Sequence, residues 1–113
     1  MNYIVFDLEW NQCPYGKGQE NERIPFEIIE IGAVKLNSER QIIDQYQVLI
    51  QPRVYKKLHH RTREIIQMDM KLLEREGIPF YRAVKEFLKW CGEDAIFCSW
   101  GNSDLLELQR NMK

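Results

Sequence analysis

The chain is short of the residues that usually announce a site. Only two histidines, three cysteines, four prolines and six glycines occur among its 113 residues. Cys13, Cys91 and Cys98 are odd in number and lack metal-type spacing, which excludes a cysteine-bound metal centre. No stretch has the length of a membrane span or the pattern of a signal peptide, so the expectation is a cytosolic (cytoplasmic) chain in a reducing compartment with no membrane partner. Neither sign of charge dominates: 16 Lys and Arg against 17 Asp and Glu leave a net charge of −1. No global field therefore advertises a nucleic-acid partner. Repeats and low-complexity segments are missing as well. What is present is 44% hydrophobic and 12% aromatic residues, the composition of one globular domain able to bury a core.

The chain is organised around residues 3–10, Tyr-Ile-Val-Phe-Asp-Leu-Glu-Trp. A run of β-branched and aromatic residues predicts a buried strand. It ends in Asp7 and Glu9, and side chains two apart on a strand point the same way. Two anions aimed at one point repel unless a divalent cation sits between them. An acid-x-acid pair arises by chance about once in 60 positions, and most such pairs are solvated strand-end charges. The apolar strand in front of this pair, and the pattern of the chain downstream, favour half of a hard-metal site.

Residues 11–23, with Pro14, Gly16 and Gly18, read as a loop. Residues 26–36 and 41–50 read as two further strands joined by a short turn, hence antiparallel neighbours, with Tyr46, Val48 and Ile50 on one face. Residues 54–76 carry helical spacing, with Ile65, Met68 and Leu72 on one side and Ile66, Met70 and Leu73 beside it; Asp69 is placed to cap a separate short helix. Pro79 opens a better helix with a stripe of Phe80, Val84, Phe87, Leu88 and Cys91, closed by Gly92. A fourth strand covers residues 95–100, and a last helical segment ends the chain. Strand-strand-strand-helix-helix-strand-helix predicts an α/β fold: a mixed sheet of three antiparallel meander strands plus a parallel fourth, with flanking helices. Asp104 then falls just past the end of the parallel strand, across the crevice from Asp7 and Glu9.

Charge is unevenly spread. Residues 45–63 hold no acid and five bases, Arg53, Lys56, Lys57, Arg61 and Arg63, with His59 and His60 among them. On one helix face, Lys57, Arg61 and Arg63 would track phosphates without reading sequence.

Phe6-Asp7-Leu8-Glu9, the run from Ile28 to Val34 and the run from Ser99 to Asp104 resemble the first two motifs of the DnaQ-like (DEDD-type, DEDDh) 3′–5′ exonucleases. The branch they resemble is that of 3′ exoribonucleases and KapD-like proteins. The resemblance implies a ribonuclease H-like fold and hydrolysis of single-stranded nucleic acid from its 3′ end, with RNA favoured over DNA. It implies Asp7, Glu9 and Asp104 as ligands of two Mg²⁺ or Mn²⁺ ions, with Trp10 beside the terminal nucleotide. The family's histidine base and fourth aspartate belong to a third motif, expected beyond Asp104; His59 and His60 stand in the wrong place for it. The chain is thus read as a partial exonuclease domain over residues 1–113, inactive or weakly active alone and prone to self-association. Gln67 stands where relatives carry glycine, Trp100 reads as core, and Glu30 reads as a structural residue bonding across the sheet.

Two other readings remain open. One is a non-catalytic nucleic-acid-binding module on the same scaffold. The other is a flavodoxin-like signalling domain, which expects an all-parallel sheet and so conflicts with the antiparallel pattern of residues 28–50.

Overall fold

A computed structural model describes the chain except for Lys17, Glu20, Glu22, Arg23, Gln67, Met68, Trp100, Gly101 and Lys113. The expectations placed on Gln67, Met68 and Trp100, and the charges at 17, 20, 22 and 23, therefore lie outside the described residues. So do the side chains of Ile66, Asn102, Ser103 and Leu105.

The elements are β1 (Asn2–Gln12), β2 (Phe26–Leu36), β3 (Ile42–Leu49), α1 (His60–Ile66), α2 (Met70–Glu76), α3 (Phe80–Cys91), β4 (Ala95–Cys98) and α4 (Asn102–Met112). The sheet order is β3-β2-β1-β4, with β1 antiparallel to β2, β2 antiparallel to β3, and β4 parallel to β1. This is the predicted mixed sheet, and it excludes the all-parallel alternative.

Alternation along β1 sends Ile4, Phe6 and Leu8 into the main core, where they meet Ile31 and Ala33 of β2. Helix α3 closes that core with Ala83, Phe87 and Cys91. Phe87 is buried to 1% exposure and lies 6.3 Å from the Phe6 ring. Removing a side chain of that size from water contributes roughly 1.5–3 kcal/mol. Tyr46, Val48 and Ile50 join the same core, as the sequence pattern predicts. Leu88, assigned to the stripe, is instead half exposed.

The segment after β3 departs from expectation. Residues 53–59 are not helical, and helix begins only at His60. The cause is Glu27, a buried carboxylate on β2. Its Oε2 accepts from the amides of Arg53 (2.7 Å) and Val54 (2.9 Å), and its Oε1 from that of Tyr55 (3.2 Å). Three successive amides are thus committed to one side-chain anion, and this backbone is held in a turn ahead of the helix. Asp69 does cap α2, accepting from the Leu72 amide at 2.8 Å. Gly92, with φ +82°, ends α3 in the left-handed region.

Candidate metal and nucleic-acid site

β1 positions the first two carboxylates. Asp7 lies opposite Gly32 and Glu9 opposite Glu30 in the antiparallel register. Glycine opposite Asp7 leaves that side of the carboxylate open, whereas Glu30 sets a second anion directly beside Glu9. Like charges so placed repel. Glu30 also accepts from Gln47 Nε2 at 2.5 Å, the cross-sheet bond expected of it. Its place beside Glu9, which only the strand register reveals, makes it a fourth carboxylate of the site.

The third carboxylate arrives by a different route. β4 pairs with β1 only from Asn2 to Val5. Beyond that point the first turn of α4 comes alongside, and Oδ2 of Asp104 accepts from the Leu8 amide at 3.4 Å. A carboxylate early in a helix is favoured by the helix dipole. Asp104 thus stands beside the residue between Asp7 and Glu9, near enough to Asp7 to be raised by its charge.

The electrostatics record this crowding. Glu9 is held above the ordinary carboxylate range, first by burial and then by repulsion from Asp7, Glu30 and Asp104. Asp104 is raised by burial, drawn back by the Leu8 amide, and raised again by Asp7. Among the described residues no three His, Cys, Asp or Glu side chains form a ready-made metal cage. The donor set is all oxygen, however, and crowded with negative charge. That suits Mg²⁺ or Mn²⁺, of which Mg²⁺ in particular takes one or two carboxylates and completes its shell with water and substrate phosphate.

The basic segment forms a separate feature. Lys57 precedes α1, and Arg61 and Arg63 lie two apart on it, so the three do not share the single helix face expected from the sequence. Lys57, His59, His60 and Arg63 instead line a cleft of about 600 Å³ against Gln12 and Cys13, while Arg61 is exposed outside it. Asn11, read from the sequence as loop, belongs to β1 and is fully buried. Its Nδ2 donates to the Lys57 carbonyl at 3.0 Å, and its Oδ1 accepts from the His59 amide at 2.8 Å. Trp10 comes after a bulge at Glu9 and packs on Phe26, ring centroids 5.9 Å apart, against the main core. Neither histidine lines the site with Asp7, Glu9 or Asp104.

No protein-family model matches the sequence, and no curated protein matches it. Solved structures do. The nuclease domain of 3′hExo, a DEDDh family member bound to rAMP, superposes with a TM-score of 0.78 at 20% identity, over 97% of this chain and 57% of that one. Cell-death related nuclease 4 (CRN-4) gives 0.74 at 16% identity, over 98% of this chain and 39% of that one. E. coli Exonuclease I in complex with a dT13 oligonucleotide gives 0.71 at 13% identity, over 98% of this chain and 23% of that one. The chain therefore spans little more than half the length of the first of these and less of the others. Over that span it has the ribonuclease H-like fold of these nucleases.

Proposed function

We propose that this chain is the carboxylate-bearing part of a metal-dependent 3′–5′ exonuclease domain acting on single-stranded nucleic acid, with RNA favoured over DNA. The observation that carries the reading is the convergence of Asp7, Glu9 and Asp104 at one end of β1. Asp7 and Asp104, and Glu9 beside them, would hold the divalent cation. When bound, Mg²⁺ or Mn²⁺ supplies Lewis-acid polarisation of a phosphoryl oxygen and a lowered pKa for attacking water, in one- or two-ion form.

The chain's own residues do the positioning. The Leu8 amide orients Asp104, and β1 holds Asp7 and Glu9 on one face. Trp10, expected beside the terminal nucleotide, packs on the core face of β1 instead and takes no part in the site, while Lys57, Arg61 and Arg63 supply phosphate contacts. Both histidines of the sequence lie at positions 59 and 60, so none is offered as a general base. Positioned proton transfer is worth roughly 10²–10⁴-fold, and turnover by these residues alone is expected to be slow by that order. Three cysteines free of disulfides accord with a reducing, cytosolic setting. The outer edge of β4, with Ile96 and Phe97 part-exposed, is the surface through which self-association would run.

The test is calorimetric titration with Mn²⁺ beside a trimming assay on a 5′-labelled single strand. Wild type should bind the ion and trim slowly; Asp7→Asn with Glu9→Gln should do neither. Equal Mn²⁺ binding by both proteins would overturn the reading. Strand binding with no trimming under any divalent ion would favour the non-catalytic module, for which the separate cationic cleft speaks.

A further inference from the structure

We propose that the cleft between the end of β1 and residues 57–63 is a second subsite, which holds a phosphate and its nucleotide upstream of the 3′ end. The direction of the strand rests on the exonuclease reading; the cleft itself does not.

Its walls are built, not incidental. Asn11, at 0% exposure, spends its amide on the Lys57 carbonyl and the His59 amide, which clamps that backbone against the strand end. On the outer side, Tyr15 Oη accepts from the Lys56 amide at 3.0 Å, and the Lys57 ammonium lies 5.7 Å from the Tyr15 ring centroid. His60 and Arg63 are three apart on α1 and so share a face. Lys57 and Arg63 are the charged residues along the cleft, and among the described residues no carboxylate lines it. This is the reverse of the four-carboxylate end of β1.

Size and shape fit one nucleotide. About 600 Å³ lies within the range of small-molecule sites. The stacked His59 and His60 rings, 4.2 Å between centroids, offer a flat face to a base and N–H groups to phosphate oxygens. Such contacts bind any sequence. Gln12 is three strand residues beyond Glu9, which places the cleft roughly 10 Å from the carboxylates. That is too far for the phosphate under attack, so the occupant is a nucleotide upstream of it.

The experiment is fluorescence anisotropy on the full chain with Ca²⁺ present, so that a divalent ion lets the 3′ end sit at the carboxylates, using labelled single strands of two, four and eight nucleotides. Affinity should rise with length, because only the longer strands reach the cleft. Lys57→Gln with Arg63→Gln should weaken the eight-nucleotide strand about tenfold at low salt and flatten its salt dependence by roughly 0.7 in log–log slope, one phosphate contact's worth. The dinucleotide should be unaffected. Equal affinity at every length in the wild type overturns the proposal, and that series decides even where the double variant fails to fold. An unchanged salt slope in a folded variant also overturns it. Length-dependent binding without carboxylate-dependent Mn²⁺ binding would leave the cleft standing and remove the exonuclease reading; the reverse result would remove the cleft alone.

Discussion

The main-chain amide of Leu8 donates to Oδ2 of Asp104 at 3.4 Å, joining residues 96 positions apart. The bond brings the two ends of the chain to one site and draws Asp104 into a field of like charge. Glu9 and Asp104 are both raised, burial being the first cause in each. A carboxyl with a raised folded pKa binds more protons folded than unfolded. Its favourable contribution is full below the ordinary carboxylate range near pH 4 and is lost as pH rises through the raised value. At pH 7 without metal, Glu9→Gln and Asp104→Asn should each therefore raise Tm modestly, since both groups are part-exposed and partly screened by solvent. The gain should vanish on acidification. A lower Tm at pH 7, or a gain that persists in acid, would contradict this electrostatic account. By the same sign, Mn²⁺ affinity should fall as protons compete for the site.

Asn11 predicts a different kind of loss. Its two bonds are buried and made to main-chain groups of residues 57 and 59. Asn11→Ala should cost ~2–3 kcal/mol, the usual penalty for orphaned buried polar groups. Urea denaturation measures the total, and hydrogen exchange should show the His59 amide losing protection ahead of the sheet. Retained protection at His59 would mean the clamp lies elsewhere.

Glu27 fixes the neighbouring turn. Gln in its place keeps the shape but has one accepting oxygen instead of two, so at least one of the three amides meets an N–H group. Glu27→Gln should destabilise by ~2–3 kcal/mol, since bonds to a charged acceptor are the stronger kind. A loss under half of that in urea would show that the turn holds without the carboxylate.

These residues show where the sequence was legible. Strong periodicity carried β2, the α3 stripe and the Asp69 cap, because local pattern and tertiary packing agree there. Asp7 and Glu9 were readable because strand geometry alone puts them on one face. Asp104 needed topology as well, and the parallel β4 supplied it. The helical pattern of residues 54–59 failed because a distant carboxylate, Glu27, outbids the local preference. Asn11 looked like a loop residue, since asparagine favours turns and only its burial under residues 57–59 keeps it in β1. Glu30 was visible as an acid, but its place beside Glu9 depends on a register that no local signal encodes.

Gly77 gives the sharpest steric prediction. After α2 the chain turns back onto the end of β3: the Gly77 amide donates to Leu73 O (2.9 Å), Ile78 N to Leu49 O (3.0 Å), and Gln51 N to Ile78 O (2.9 Å). The backbone at Gly77, φ −72° and ψ 149°, is open to any residue, so conformational freedom is not what glycine supplies. Space is. A Cβ there would lie 2.3 Å from Leu73 O, 2.6 Å from Gln51 N and 2.8 Å from Ile50 C, all main-chain atoms. Alanine would gain ~0.4–1 kcal/mol by restricting the unfolded chain, the opposite sign. The clash outweighs it, because relief means separating α2 from the Ile50–Ile78 bridge. Gly77→Ala should destabilise by ~3 kcal/mol. Gly92→Ala is the control: its φ of +82° strains a side chain, yet nothing lies within 4 Å, and its cost should stay near ~1–2 kcal/mol. Denaturant midpoints of the two variants should fall in that order, and equal costs would mean the α2–β3 contact gives way more easily than its distances imply.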